Sequence, residues 1–259
     1  MRRRTVRDFI EETRAQFTRW MLHLKREPFS LAFNLLNPLI LLVFMGGAFQ
    51  GLARNALGGD YRGYLLPGIL ALTAFGNSMA GGIPLLFDRE NGSLTRLMTA
   101  PISRPSIILS RFLAVNLSTT LQCLLILVLG MAFGVRIATG VGGVAALLAF
   151  GLLLGFGVTA ISLMLAFRFE NHGDFFAVIG LTSLPLTFLS SAFVPLDHLP
   201  GWMRAVALAN PMTYAIDAMR TLILSGWNPR PLAFMAAVLL AFDAVMLWLG
   251  SRVLARHLA

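Results

Sequence analysis

Five stretches of this chain contain no Asp, Glu, Lys or Arg: Pro28 to Ala53, Gly63 to Phe87, Phe112 to Val135, Ile137 to Phe167 and Phe175 to Leu196. A sixth, Pro231 to Ser251, is broken only by Asp243. Each is longer than the roughly 18 to 20 residues with which a helix crosses about 30 Å of hydrocarbon. Inside a bilayer no water satisfies the backbone, so helices are the form these stretches must take. Composition removes the alternatives. With 57% hydrophobic and 13% charged residues, against about 25% charged in a soluble domain, neither a water-soluble globule nor a disordered chain fits. A disulfide scaffold is excluded by the single cysteine, Cys123, which lies in an apolar run. The expected fold is an all-α integral membrane protein, one domain over residues 1–259, with six transmembrane helices near 29–50, 63–87, 107–134, 141–167, 174–195 and 231–254.

A net charge of +9 would raise nucleic acid as a partner, but the arginines flank the apolar stretches instead of forming a patch, so no nucleic acid is expected. Six spans put both termini on one side. Eight basic residues precede the first span, four (Arg89, Arg96, Arg104, Arg111) lie between the second and third, Arg168 follows the fourth, and Arg252 and Arg256 close the chain. The opposite side holds only Arg54, Arg62, Arg136, Arg204, Arg220 and Arg230. The positive-inside rule then predicts cytosolic termini in the cell's inner (plasma) membrane. Lys25 is the only lysine and Arg26 follows it, so no G-x-x-x-x-G-K-[ST] phosphate loop is present. A nucleotide-driven process would need a second subunit.

Before the first span, Val6, Phe9, Ile10, Thr13, Phe17, Trp20, Met21 and Leu24 recur at steps of three and four. This predicts an amphipathic helix over 5–27, lying on the membrane with Trp20 at headgroup depth. It reads equally as an anchor or as a contact for a partner. The cytosolic connection 88–101 carries Ser93 as a cap, Leu94, Leu97 and Met98 as an i, i+3, i+4 patch, and Pro101 as a stop. That is a small knob, suited either to rest on headgroups or to plug into a groove on a cytosolic protein.

The external stretch 196–226 is too apolar for a plain hairpin. Pro200 predicts one short helix, and Asn210-Pro211, an N-cap followed by a first-turn proline, predicts a second. Asp217 and Arg220 form an i, i+3 pair on that second helix. Two half-helices bent at Asn210-Pro211 would dip back into the outer leaflet, with their polar groups buried in protein or facing a wet cavity.

These residues resemble a known family, the permease subunits of type 2 ATP-binding-cassette exporters. Its signature is matched by Pro211-Met212-Thr213-Tyr214 with Arg220 downstream, and by Ser183, Leu186, Leu189, Ser190, Ala192 and Leu199-Pro200 upstream, over about 38 residues. Glu90, Gly92, Ser93, Leu97 and Pro101 stand where the family carries its acidic, Gly, hydroxyl, Leu and Pro coupling-loop residues. The resemblance implies two permease chains, here a homodimer, around a central path in the lipid membrane, with a pair of ATPase subunits below. Glu90, Gly92, Ser93, Leu94, Leu97, Met98 and Pro101 would couple to the ATPases, which bind ATP and Mg2+; this chain itself would hold no cofactor. Leu199, Pro200, Pro211, Tyr214, Asp217 and Arg220 would form the external gate. Within the family the chain looks closest to the daunorubicin-resistance group, implying an amphipathic drug, lipid or glycolipid-like cargo, with polysaccharide or lipid-linked glycan export as the alternative.

Other polar residues admit two readings. Asn34, Asn37 and Asn77 lie within spans and must face protein or a path. Asp243 is a lone carboxylate in hydrocarbon, either a cation or substrate contact of an ion-coupled carrier, or a shallow or helix-bonded side chain. No metal-ligand spacing links His23, His172, His198 and His257. With neither H-E-x-x-H nor G-x-S-x-G present, the chain is not expected to be an enzyme.

Overall fold

The computed structural model describes residues 6–26, 28–48, 61–92, 103–169 and 171–258, and among these it contains helices and turns but no strand. The first helix, α1 (Val6–Arg26), is followed by α2 (Pro28–Ile40), which continues through a wide π turn (Leu41–Met45) into α3 (Gly46–Ala48). Then come α4 (Tyr61–Ala80), α5 (Ile83–Glu90), α6 (Arg104–Ala132), α7 (Gly140–Arg168) and α8 (His172–Phe188). After a 3-10 turn (Leu196–His198), α9 (Gly201–Ala209) and α10 (Pro211–Arg220) precede a second π turn (Thr221–Ser225) and α11 (Pro229–Leu258).

Local chemistry explains most of these boundaries. Pro28, Pro105, Pro211 and Pro229 stand in the first turns of their helices, where no amide is needed. Asn171 caps α8 by accepting from the Asp174 amide at 3.0 Å. The turn from α6 to α7 needs positive φ at Gly134 (96°) and Gly140 (62°), which glycine adopts without a Cβ clash.

Among the described residues, four helical segments are long and apolar enough to cross a membrane: Tyr61–Glu90, Pro105–Ala132, Gly140–Arg168 and Pro229–Val253. The other two charge-free stretches form shorter helices. The first contributes an apolar helical run over Phe33–Ala48. The fifth stops at Phe188 after 17 residues, because its last carbonyls turn to side-chain donors instead of a further helical turn. Tyr61–Glu90 is itself interrupted, by a turn at Gly81-Gly82.

The core surrounds α4, with α6, α7 and α10 packed against it. Leu65, Leu66 and Ile69 on α4, Ile126 and Leu127 on α6, Leu154 on α7 and Ile216 on α10 are at most 1% exposed. Outward faces are equally apolar. Leu109, Leu113, Leu117, Leu121 and Leu125 form an exposed stripe at steps of four along α6, the pattern of a helix whose outer solvent is lipid.

α1 seats along part of its predicted face, with Phe9, Phe17, Trp20 and Met21 half-buried and only its N-terminal apolar residues left out. The face against α6 buries Thr13 and Gln16, whereas Val6 is 77% and Ile10 58% exposed. A polar contact fixes this seating: Glu12 accepts from the amide (2.8 Å) and hydroxyl (2.6 Å) of Ser103, at the start of α6 where donors have no intrahelical partner.

Candidate functional site

Two regions collect the residues singled out from the sequence. The first lies at the ends of the 88–101 connection. Glu90, the last residue of α5, accepts from the backbone amide of His172 at 3.1 Å and lies 2.6 Å from its Nδ1. Arg89 donates to the Phe169 carbonyl at 3.2 Å, tying α5 to the turn between α7 and α8. Asp88 faces Arg19 of α1 at 3.7 Å. At the far end Ser103 is held by Glu12, also of α1. Both ends of the connection are therefore gripped by α1, and one of them by the start of α8 as well. Gly92 has φ +67°, a left-handed bend that leads the chain out of α5. Ser93, Leu94, Leu97, Met98 and Pro101 lie outside the described residues.

The second region is built on α8, α9 and α10. Asn210 is 3% exposed and caps two helices at once. Its Oδ1 accepts from the Met212 amide (3.0 Å) at the start of α10, while its Nδ2 donates to the Leu186 (2.7 Å) and Leu189 (2.9 Å) carbonyls at the end of α8. Two to three turns further along α10, Arg220 donates to Asp217 at 3.0 Å and to the Ser191 carbonyl at 2.7 Å, and the Ser191 hydroxyl donates to the same Asp217 oxygen at 2.7 Å. The Arg220 guanidinium also stacks 3.9 Å over the Tyr64 ring of α4. Burial pushes the Asp217 carboxyl upward in pKa, against the pull of Ser191 and Arg220 in the other direction. Tyr214 donates to the Leu208 carbonyl of α9 at 2.8 Å, closing the bend between the two short helices. Pro200 stands just before α9, with Leu199 partly buried. A close backbone approach completes the region: a Cβ on Gly68 would fall 2.6 Å from the Ala192 carbonyl oxygen.

The sequence profile described as ABC-2 type transporter matches residues 11–224, which include both regions. The chain belongs to the ABC-2 type transporter family. It is 36% identical over 217 residues to a putative transport permease, ycf38, of Cyanophora paradoxa, covering 83% of this chain and 74% of that one. It is 32% identical to the protein of the same name from Porphyra purpurea, over 97% of this chain and 91% of that one. It is 27% identical to the daunorubicin resistance ABC transporter permease protein DrrB1 of Streptomyces coeruleorubidus, over 83% and 75%. Membership implies an ATP-binding-cassette ATPase as partner and, with the apolar helices, a multi-pass membrane protein.

In this ABC-2 permease Asn34, Asn37 and Asn77 gather along one cleft of about 340 Å³ between α2 and α4. Asn34 and Asn37 line it from α2, and Thr73, Gly76 and Asn77 from α4. Asn77 also donates to Gln122 of α6. Asp243 is elsewhere: it is 5% exposed on α11, against α7, where a Cβ on Gly157 would fall 2.7 Å from its Oδ1.

Sequence reasoning passed over Glu12 and Ser191. Glu12 was one charge among many on α1, and nothing local marks it as the acceptor for a helix start 91 residues away. Ser191 follows Ser190, which the family signature covers; only the fold shows that the second hydroxyl is the one facing Asp217.

Proposed function

We infer that this chain is the membrane-spanning subunit of an ATP-driven exporter that moves an amphipathic drug, lipid or glycolipid-like molecule out of the cytosol or inner leaflet. Two copies pair around the path, each with six spans, the first and fifth of them short, and with both termini cytosolic. ATP and Mg2+ are bound by the ATPase pair. The connection 88–101, through Glu90, Gly92, Ser93, Leu94, Leu97, Met98 and Pro101, receives the ATPase motion. The two short helices α9 and α10 dip into the outer leaflet and gate the exit, using Leu199, Pro200, Pro211, Tyr214, Asp217 and Arg220.

The observation that carries this reading is the grip on both ends of the 88–101 connection, by Arg19 and Glu12 of α1 and by the start of α8. A loop that only rested on headgroups would need no such bracing. A loop that transmits force does, because a push is passed on only by elements that cannot yield independently. The positive charge on the α1 side supports a cytosolic position for these elements. The daunorubicin resistance relative supports an amphipathic cargo. The Asn34, Asn37 and Asn77 cleft supports a path with hydrogen-bonding walls.

The test is affinity capture of the chain from gently solubilised native membranes, followed by mass spectrometry. A companion bearing G-x-x-x-x-G-K-[ST] is expected in equal amount, and Glu90→Lys or Leu97→Asp should release it while the permease stays folded. Capture of the chain without any such companion would refute the reading.

A further inference from the structure

The helix that leads into the 88–101 connection is not continuous. Between α4 and α5 the chain turns at Gly81-Gly82, where Gly81 donates to Ser78 at 3.1 Å, and Leu85 and Leu86 both donate to the Gly82 carbonyl, at 3.1 and 3.2 Å. This turn takes several backbone groups out of the helical ladder. The Gly82 amide loses its usual acceptor, Ser78, which Gly81 occupies. The Met79 and Gly81 carbonyls are likewise passed over, and the Ala80 carbonyl has no helical donor because the residue four positions on is Pro84. In hydrocarbon such groups must find other partners.

Two side chains from two other helices partner three of them. Ser162 of α7, fully buried, accepts from the Gly82 amide at 2.8 Å and donates to the Met79 carbonyl at 2.5 Å. Arg111 of α6 donates to the Gly81 carbonyl at 2.9 Å, its guanidinium lying 4.4 Å over the ring of Trp20 on α1. Gly82 must lack a side chain here, since a Cβ would fall 2.6 Å from the Ser162 carbonyl oxygen. The turn also divides the apolar packing. Residues up to Met79 belong to the main core, while Leu85 and Leu86 pack with Leu163, Ala166 and Phe175 in a separate cluster.

We propose that Gly81-Gly82 is the hinge on which α5 swings as a lever between the ATPase and the spans, and that Ser162 and Arg111 are positioning residues that hold it in the present setting. A continuous helix would resist bending at every peptide. Here the backbone at the bend itself is held by three hydrogen bonds from two side chains, which can be exchanged together. The placement is suited to the task, because α5 ends in Asp88, Arg89 and Glu90 and so carries the start of the connection directly. The inference rests on the coupling reading above.

Hydrogen exchange tests it on the permease purified with its ATPase in nanodiscs, without nucleotide and with ADP–vanadate. In the wild type the amides of residues 82, 83, 85 and 86 should differ between the two states by about tenfold or more, while those of α4 and mid-α7 do not. In Ser162→Ala, and in Arg111→Met, the same amides should exchange fast in both states with the ATPase still bound. A purely structural brace would be equally protected in both states, and that result in the wild type, with the ATPase bound and hydrolysing ATP, would overturn the hinge while leaving the coupling reading intact. Failure of any ATPase to accompany the wild-type chain would overturn both.

Discussion

Asn210→Ala should be among the most damaging single changes outside the main apolar core, and the structure allows its size to be worked out. Loss of the Oδ1 bond to the Met212 amide removes an N-cap, worth about 1 kcal/mol. Loss of both Nδ2 donations, to Leu186 and Leu189, leaves two carbonyls at a site 3% exposed, each costing about 1 kcal/mol or more. The sum is about 3 kcal/mol, or roughly 6–12 °C in melting temperature for a chain of this length. Asn210→Ser retains a capping oxygen but not the reach of the two donations, so it should lose about 2 kcal/mol. Asn210→Asp keeps the cap and sets a carboxylate against the same two carbonyls, and should be no better than Ser. The assay is thermal unfolding of the purified chain in mild detergent, followed by tryptophan fluorescence. If Asn210→Ala melts with the wild type, or Asn210→Asp equals it, the double cap is not what holds α8 to α10.

Three further outcomes are expected. Gly68→Ala should destabilise by about 1–3 kcal/mol, because its Cβ would meet only backbone of Ala192, whereas Gly76→Ala, with nothing within 4 Å, should be neutral; equal melting temperatures would contradict this. Glu12→Ala removes the charged acceptor for Ser103, about 1.5–3 kcal/mol, and should speed hydrogen exchange across α1 by roughly ten- to a hundred-fold; unchanged exchange would mean that α1 is held by other contacts. Arg220→Met strands Asp217 against the Ser191 hydroxyl alone, so adding Asp217→Asn should recover part of the lost melting temperature, and strictly additive losses would deny the coupling between them.

The same bonds show what could be read from the residues and what could not. Asn210-Pro211 announces a helix start locally, since an N-cap and a first-turn proline act within their own few residues. The other half of Asn210, its grip on a helix 21 to 24 residues earlier, has no local signal. Likewise the apolar pattern of α1 reveals the face it buries, but not that Glu12 beside it holds the start of α6, 91 residues away. The break in the helix before the 88–101 connection was hidden for a similar reason. A glycine pair in a charge-free run is common in spans, and only the arrival of Ser162 and Arg111 from two other helices turns it into a satisfied turn.

Hydrocarbon determined the rest from sequence alone. A solvent that bonds no backbone forces helices wherever charges are absent for long enough, so the class and the order of the apolar stretches could be read along the line of the chain. Tertiary structure decided which polar atoms meet: Arg220 with Asp217, Ser191 and Tyr64, Glu12 with Ser103, and Ser162 with the broken turn. Those pairings join residues tens of positions apart, and in a low-dielectric interior each polar group takes the partner that packing brings within reach.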